Sequence, residues 1–571
     1  MNIGVPLGGR HTGTVRSFSG CWTCRLRRKK CDETRPICDV CASLHITCHF
    51  GQEKPEWMDG GDRQDRMTAQ LRQEVRENAQ RRREERSVDI IGDSAIRVTS
   101  PAVDCSENST ELGGRSFTVG QRDISFGQQD TVLIMFYLEN VLPFLFPFYN
   151  PSILRGGRAW LLKMMIDSPV VRQATLCLSP YFFSLARGTT SDDALWETVL
   201  TQTRDAFGML GQALQRVSGS GTTEHLHCAV RIMASIAQLQ RFEITVLSFE
   251  NCQAHHDASL ALFTQLLDSV RNGEPRESRA AFDAVLDRLG TSSPSTDFLQ
   301  IPTSAEQAAF LFSSALLIFD DIVASTVLPE QPRLYEYHNS LLGCDGSTEP
   351  RIDLEATVGC QNWVLIQIGE ISALDAWKQQ CKKAGSLDVM ELVRRATLIK
   401  RLAEIRLAQL ESEPTTTARE HSSVLDVLTA HHSTGEGAVE CQISVVTRVW
   451  AHAALLYLFV VVSGWQPANA EVRSHVERIV GLLSCRALRP SMLRATTWPF
   501  SVAGCLAEPG QEAHFRAMTE RLKPRSVFGT VYKALEIMEN VWRSRDLDDA
   551  ATRDLGTCFR SRCRNSRSWW F

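Results

Sequence analysis

One cysteine pattern, C-x2-C-x6-C, occurs twice within residues 21–48 of this 571-residue chain. The six residues that form it are Cys21, Cys24, Cys31, Cys38, Cys41 and Cys48. Two C-x2-C pairs alone would make one tetrahedral zinc site and would leave Cys31 and Cys48 without a role. Two zinc ions need eight ligands, and six thiolates supply eight when two of them bridge both metals. The repeat therefore predicts a cluster of two metal ions.

Disulfide bonds and metal-free buried cysteines are the alternatives for this segment. Clustered Lys and Arg and a scarcity of apolar residues leave it without a core in the absence of metal. The other 12 cysteines, from Cys105 to Cys563, lack paired spacing apart from Cys558 and Cys563. Such scattered cysteines suit a reducing compartment, where a free cysteine behaves as a small buried hydrophobe. The metal cluster is thus the favoured interpretation.

The two six-residue inserts of the repeat differ in charge. The first insert, residues 25–30, has five cationic side chains, whereas the second, residues 42–47, has none. The five cations are Arg25, Arg27, Arg28, Lys29 and Lys30. Neutralised phosphates would give salt-dependent DNA affinity, and Arg or Lys at guanine O6 and N7 would give sequence choice. The first insert is therefore predicted to bind DNA, and a solvated basic run or a nuclear import signal is the alternative.

Residues 21–48 resemble the binuclear zinc cluster of fungal transcription factors. The resemblance implies a small irregular domain in which two short helices surround two zinc ions. One Zn²⁺ would be held by Cys21, Cys24, Cys31 and Cys38, and the other by Cys21, Cys38, Cys41 and Cys48, so that Cys21 and Cys38 bridge. The helix after Cys24 would enter the major groove and place Arg27 and Arg28 at a CGG triplet. Pro36 matches the proline of the loop between the two halves in this family.

A Lys-Pro-Glu-Trp-Met-Asp-Gly-Gly stretch follows the cluster at residues 54–61. It resembles a stretch at the same place in the subgroup of these regulators that is similar to the acriflavine-sensitivity control protein. Members of this subgroup often control drug tolerance or a secondary-metabolite gene cluster. The resemblance therefore implies one of these two roles.

A charged, helix-forming run completes residues 51–86, which we assign as a linker and charged helix. Relatives often dimerise through a coiled coil at this place. Here Met67, Leu71, Val75 and Ala79 recur every four residues, and no register has apolar residues at both a and d for three heptads. The sequence favours a solvated or transiently paired helix and leaves a homodimer seam open.

The net charge of −4 conceals a basic first part and an acidic remainder. Residues 1–86 have 17 Lys+Arg against 12 Asp+Glu, and the remainder has 45 against 54. A nucleic-acid reader with a separate regulatory domain shows this split.

Residues 1–20 lack the apolar stretch of a signal peptide. The apolar runs 132–148 and 451–462 fall short of the ~18 uninterrupted apolar residues of a membrane span, so we expect core helices and no membrane partner.

From about residue 129 onward, apolar positions recur at helical spacing. The stretches that show it are 131–148, 159–166, 170–186, 195–217, 225–242, 256–270, 305–325, 360–382, 388–411, 442–462, 470–483 and 526–543. The pattern predicts a large all-α regulatory domain at 129–556, long enough for two helical subdomains. Outside it we predict a disordered arm at 1–20, the cluster domain at 21–50, a flexible linker at 87–128 and a disordered tail at 557–571.

Three stretches of this region resemble the second type of fungal-specific transcription factor domain, an α-helical regulatory region. They are residues 461–465, 498–507 and 538–542. Motifs of phosphate-binding loops and nucleophile elbows are missing. His225, His227 and Cys228 could be metal ligands, but residues two apart, such as His225 and His227, diverge on a helix, so ordinary surface and core roles are favoured. We therefore expect no enzyme. The aromatic residues Trp498 and Phe500 are expected to pack in the core rather than to line a ligand pocket.

The expected function is that of a nuclear, sequence-specific DNA-binding regulator of RNA polymerase II transcription that carries two Zn²⁺ ions. Its expected partner is double-stranded DNA with CGG-type sites, and the resemblance is compatible with a homodimer, transcription co-regulators and a small-molecule effector. The alternative is a ligand-sensing or protein-interaction module whose basic cluster serves mainly nuclear localisation and nonspecific DNA binding.

Overall fold

The chain divides into two compact units, residues 1–120 and residues 121–571. The computed structural model describes residues 20–27, 29, 31–35, 37–42, 44, 46–50, 54–61, 63–74, 127–153, 156–188, 206, 208–213, 223–246, 252–271, 278–290, 304–328, 330–343, 349–412, 436–485, 488–545 and 553–560. The predicted arm before residue 20, most of the linker at 87–128 and most of the helix predicted at 195–217 lie outside these residues.

The described part of the first unit is irregular apart from three helices, which confirms the predicted small domain with two short helices. These are α1 (Trp22–Leu26), α2 (Asp39–Ala42) and α3 (63–74). The Sγ atom of Cys21 accepts the backbone N–H of Cys24 at 3.3 Å, and the Sγ atom of Cys38 accepts that of Cys41 at 3.4 Å. The first cysteine of each C-x2-C pair therefore caps the helical turn that follows it.

Helix α3 is tied to the cluster domain by its last described residue. The Glu74 carboxylate accepts hydrogen bonds from the backbone N–H and the hydroxyl of Thr47, both at 3.0 Å. Leu71, one turn earlier, is only 2% exposed. Val75 and Ala79, which continue the four-residue apolar spacing, lie outside the described residues. Part of this helix is thus engaged within its own chain.

Every regular element described in the second unit is helical, which confirms the predicted all-α domain. Its helices of eight or more residues are Gln128–Phe136, Ala159–Asp167, Pro169–Arg187, Thr223–Val246, Cys252–Arg271, Ser278–Leu289, Ala305–Ser325, Asn362–Lys383, Val389–Ser412, Glu436–Ser463, Ala470–Leu483, Thr497–Cys505, Glu512–Glu520 and Gly529–Arg543. Shorter pieces include the π-helical turns Tyr137–Val141 and His338–Leu342 and the 3₁₀ helices Pro490–Thr496 and Arg525–Val527.

Two long helices organise this body. The first, Glu436–Ser463, packs against Asn362–Lys383, Val389–Ser412, Ala470–Leu483 and Thr497–Cys505. The second, Thr223–Val246, packs against Pro169–Arg187, Cys252–Arg271 and Ala305–Ser325. One apolar core runs through both groups, from Ile134 to Phe559. The body is therefore a single unit and not the two helical subdomains that its length would allow.

Among the described residues, two helices are long and apolar enough to cross a membrane, Ala305–Ser325 and Cys441–Ser463. The second contains and extends the apolar run 451–462, whereas the first lies outside both apolar runs that we identified in the sequence. In each, 83% of the most apolar 18-residue window is buried inside the body. Other helices of the body thus cover the apolar surface that a membrane span would present to lipid.

Local capping explains why two helices have the bounds that we predicted. At Ala305–Ser325, the Ser304 hydroxyl accepts the backbone N–H of Gln307 at 3.1 Å, and the Gln307 side chain accepts that of Ser304 at 2.8 Å. At Ala470–Leu483, the Asn469 side chain accepts the N–H of Glu471 at 2.9 Å. These reciprocal bonds satisfy N–H groups that the first turn leaves free, and they fix where each helix begins.

Helix Thr497–Cys505 was not predicted. All nine of its residues are buried, so it lacks the polar face that produces helical periodicity in a sequence. The tail also differs from its prediction, because Leu555–Arg560 is helical and Leu555, Cys558 and Phe559 are buried in the core. Their spacing of three and one residues places all three on one face of the helix. Residues 561–571 of the predicted tail lie outside the described residues.

Candidate metal centre and nucleic-acid interface

The structure gathers the six cysteine thiols of the repeat into two overlapping groups of four. Within each group the sulfur atoms all lie within 4.8 Å of one another. One group is Cys21, Cys24, Cys31 and Cys38, and the other is Cys21, Cys38, Cys41 and Cys48. Cys21 and Cys38 belong to both groups, which is the arrangement that two bridging thiolates require.

The distances between these sulfur atoms fit tetrahedral zinc. A Zn–S bond of about 2.3 Å places neighbouring sulfurs of a tetrahedron about 3.8 Å apart. The Sγ atom of Cys38 lies 3.7 Å from that of Cys21, 3.7 Å from that of Cys24 and 3.8 Å from that of Cys48. The donor set is thiolate only, and this closed, soft set is typical of structural zinc.

Backbone hydrogen bonds to the sulfur atoms follow the sequence repeat. The N–H of Cys21 donates to the Sγ atom of Cys31 at 3.4 Å, and the N–H of Cys38 donates to that of Cys48 at 3.5 Å. These contacts join residues ten apart in each half. They orient the last cysteine of each half and stabilise negative charge on its sulfur. The two halves of the sequence repeat thus share the same local hydrogen bonds.

Burial makes the metal necessary for three of these thiols to ionise, whereas hydrogen bonds, the first of them from the backbone N–H of Cys41, lower the pKa of the Cys38 thiol to about 7. In the protein without metal, burial raises the pKa of Cys24 to about 11 and also raises the pKa of Cys21 and Cys41. At neutral pH these thiols would keep their protons, whereas zinc binds the thiolate. Zinc supplies the positive charge that stabilises the buried thiolates and releases their protons on binding.

Asp32, which the sequence analysis did not single out, connects the two halves. Its carboxylate accepts the hydroxyl and the backbone N–H of Thr34, and it also accepts the N–H groups of Asp39 and Val40 at 3.0 Å each. The hydrogen bond from the hydroxyl of Thr34 is the main cause that lowers the pKa of this carboxyl group. The hydrogen bonds from the N–H groups of Asp39 and Val40 lower it further. The Asp-x-Thr turn is the sequence signal that would have identified Asp32.

Thr23, between the first two cysteines, joins the beginning of the cluster domain to its end. Its side chain is fully buried. The hydroxyl donates to the carbonyl of Thr47 at 2.9 Å and accepts the N–H of His49 at 3.0 Å. Spacing alone does not show this role, since the two partners follow Thr23 by 24 and 26 residues.

Replacing Thr23 with valine is expected to destabilise the zinc-loaded cluster domain by about 1–3 kcal/mol, because the carbonyl of Thr47 and the N–H of His49 lose their shared partner in a buried place. The measurement is the chelator concentration at which half of the zinc is lost. The Thr23→Ser variant keeps the hydroxyl and should resemble the original chain. Equal zinc retention by the valine and serine variants would contradict the role of the hydroxyl.

The basic insert begins in α1. Arg25 lies 4.4 Å above the ring of Trp22, Arg27 is the residue after the helix, and Lys29 is exposed. Arg28 and Lys30 lie outside the described residues. The second insert turns inward instead, because Ile46 is buried and Leu44 packs on the cluster core. Among the described residues, the first insert thus has an exposed cation at Lys29, whereas the second has a buried apolar side chain at Ile46.

Comparison with known proteins confirms the resemblances to the binuclear zinc cluster and to the fungal-specific transcription factor domain, and it does not test the resemblance to the acriflavine-like subgroup. The fungal Zn(2)-Cys(6) binuclear cluster domain matches residues 19–57, and the fungal specific transcription factor domain matches residues 132–570. No solved structure matches the chain.

Three full-length relatives carry names that state a role. Transcription factor dibT of Pestalotiopsis microspora is 34% identical over 94% of this chain and 97% of its own. Pestheic acid cluster transcriptional regulator 3 of Pestalotiopsis fici is 28% identical over 93% of this chain and 95% of its own. The ustiloxin B cluster transcription factor ustR of Aspergillus flavus is 25% identical over 94% and 95%, respectively.

The matched cluster domain binds two zinc ions, and the six thiols gathered in the first unit are compatible with that number. The fungal specific transcription factor domain, which is helical in this chain, follows it. The chain therefore belongs to the fungal transcription factors that join a DNA-binding binuclear zinc cluster to the fungal-specific transcription factor domain.

Proposed function

We propose that this protein is a nuclear regulator of RNA polymerase II transcription that reads a CGG-type triplet through the basic insert after Cys24. The six cysteines hold the two zinc ions, with Cys21 and Cys38 as the bridging ligands. The observation that carries the proposal is that the two inserts differ in which side chains they expose. The cluster core buries Ile46 of the second insert, whereas the basic first insert leaves Lys29 exposed.

In this proposal, the lysines and the arginines of the first insert contact different parts of the DNA. Lys29 and Lys30 contact phosphates, which gives salt-dependent affinity without sequence choice. Arg27 and Arg28 reach guanine O6 and N7, because the guanidinium fork matches this pair of acceptors. The guanidinium of Arg25 lies over the ring of Trp22 and stiffens the segment. Its charge also adds to the positive electrostatic potential of the insert.

Changing Arg27 and Arg28 together to alanine is expected to abolish sequence-specific DNA binding while two zinc ions stay bound. Each lost base contact costs about 1–3 kcal/mol, so affinity for the selected site should fall roughly a hundredfold. The measurement is a binding selection on random duplex DNA at fixed salt, followed by titration of the enriched site and determination of bound zinc.

The matched control changes Arg63 and Arg72 in α3, which removes the same charge from two exposed positions. This control should keep the enriched sequence and lose only salt-dependent affinity. A CGG-type site that binds the Arg27/Arg28 variant as tightly as the control would contradict the assignment. One copy or two copies at fixed spacing in the enriched sites would decide between a monomer and a homodimer.

We further propose that the target is a secondary-metabolite biosynthetic gene cluster. Two relatives are named for such clusters, those of pestheic acid and ustiloxin B. Deletion of the gene should then lower or raise the transcripts of one contiguous group of biosynthetic genes. A change confined to transporter transcripts and drug tolerance would favour the other role of the acriflavine-like subgroup.

The alternative function is a ligand-sensing or interaction module whose cluster serves localisation and nonspecific DNA binding. It predicts that the zinc-loaded chain enriches no sequence in the selection. We propose no enzymatic activity, because the named relatives are transcription factors.

A further inference from the structure

A cavity of about 90 Å³ lies within the helical body. Its described lining has two cationic side chains, Arg241 and Arg494, and no carboxylate. Aromatic rings form much of the wall, and they are Phe146, Phe148, Phe319, Trp450 and Trp498. An apolar cavity with a few converging polar groups is the usual form of a small-molecule site. Trp498 and Phe500 are buried in the core, as predicted, and Trp498 also lines this cavity.

Arg494 lacks a counter-ion in the described part of the chain. Its guanidinium donates to the carbonyl of Phe144 and lies 4.0 Å above the ring of the same residue. No carboxylate of a described residue forms an ion pair with it. Burial is the main cause that lowers the pKa of Arg494 to about 9, and Arg241 lowers it further. The group still carries its charge at neutral pH, and even a half-buried charge without an opposite charge is costly.

Arg241, by contrast, is already neutralised. It forms an ion pair of 2.6 Å with Asp320, whose side chain is 8% exposed. With Arg241 and Asp320 paired, the charge at the cavity is one positive unit, located on Arg494. A ligand that completes the site must therefore bring one negative charge to this guanidinium. A carboxylate suits it, since a planar guanidinium and a carboxylate match in shape.

The rest of the wall is held in place before any ligand binds. The indole N–H of Trp450 donates to the carbonyl of Ala495 at 3.2 Å, and that of Trp498 donates to the hydroxyl of Thr326 at 2.8 Å. The two indole rings are stacked, with centroids 5.4 Å apart. Because both N–H groups are occupied, these residues offer aromatic surface and no further donor. The wall is suited to the flat, apolar part of a ligand.

We propose that this cavity binds a small aromatic carboxylic acid, whose carboxylate pairs with Arg494 and whose ring lies against Trp450 and Trp498. The volume is of the order of the ~150 Å³ apolar cavity that holds one benzene molecule, so one ring is the expected size. The acid would act as an effector of the regulatory domain, which goes beyond the proposed DNA function.

The test compares benzoate with benzamide, which has nearly the same shape and no charge, on the full zinc-loaded chain by calorimetric titration. Benzoate is expected to bind at least about tenfold more tightly, since a charge-assisted pair is stronger than a neutral hydrogen bond. In Arg494→Gln this preference should disappear. Arg525→Gln is the matched control, because Arg525 also lies over a ring, that of Tyr532 at 4.2 Å, but is exposed and outside the cavity.

A second variant tests the cavity without changing Arg494. Ala495→Leu narrows the cavity and keeps the guanidinium, so it should lose benzoate binding at an unchanged melting temperature. Equal affinity for benzoate and benzamide, an undiminished preference in Arg494→Gln, or no binding of either probe to the original chain would overturn the proposal. Because the titration contains no DNA, its result is independent of whether the chain reads a CGG triplet.

Discussion

Replacing Cys38 with serine is expected to remove both zinc ions and to reduce DNA binding to its nonspecific level. Cys38 belongs to both four-thiol groups, so the substitution takes one ligand from each metal. Structural zinc contributes roughly 10–16 kcal/mol of apparent binding free energy, and the cluster domain has little other core. The measurement is the zinc content of the purified full chain, together with titration of the selected DNA site.

Cys48→Ser is the informative comparison, because Cys48 belongs to one group only. It should retain more zinc than Cys38→Ser, with a value near one ion per chain. Cys177→Ser, a buried cysteine of the helical body, should keep both. Two zinc ions bound to the Cys38 variant, or equal losses in the Cys38 and Cys48 variants, would contradict the bridging role.

Gly504→Val is expected to have a large effect in the helical body. A Cβ atom at this position would lie 1.7 Å from the Sδ atom of Met538 and 3.2 Å from a ring carbon of Phe515. Both neighbours are fully buried, and the carbonyl of Gly504 also accepts the indole N–H of Trp542 at 2.8 Å. The helix or the Met538 side chain must move, and we expect a loss of about 3 kcal/mol in the free energy of unfolding.

Urea unfolding of the full chain, followed by helical circular dichroism, measures this loss. Gly481→Val is the matched control, since Gly481 also lies in a helix but a Cβ atom there would meet nothing within 4 Å. Its stability should change by less than about 1 kcal/mol. Adding Met538→Ala to Gly504→Val should restore part of the stability, because it makes room for the new side chain. Similar losses at 504 and 481 would show that helix propensity, and not the close approach, is responsible.

Gly504 also lies where two of the stretches that resemble the fungal-specific transcription factor domain, 498–507 and 538–542, contact each other. They are far apart in sequence, yet helices Thr497–Cys505 and Gly529–Arg543 pack against each other there. The sequence identified both stretches through the family resemblance. It did not show that Met538 and Trp542 meet Gly504, because the contact depends on how two distant helices are brought together.

Local chemistry is what the sequence determined by itself. The C-x2-C spacing makes each first cysteine the cap of its own turn, so the thiol arrangement follows from a few backbone bonds between near neighbours. Amphipathic helices and their capping residues, such as Ser304 and Asn469, are local in the same sense. Metal number, fold class and DNA-binding function could therefore be predicted before the structure was considered.

Only the tertiary structure decided which distant side chains meet. Thr23 closes the cluster domain through partners 24 and 26 residues away, and Glu74 binds Thr47 from 27 residues away. Arg494 bonds to a carbonyl 350 residues earlier in the chain. No spacing rule connects such residues, because each contact arises from the packing of the whole unit to which its residues belong. In the helical body this packing half-buries the charge of Arg494 and thereby turns an ordinary arginine into a candidate ligand site.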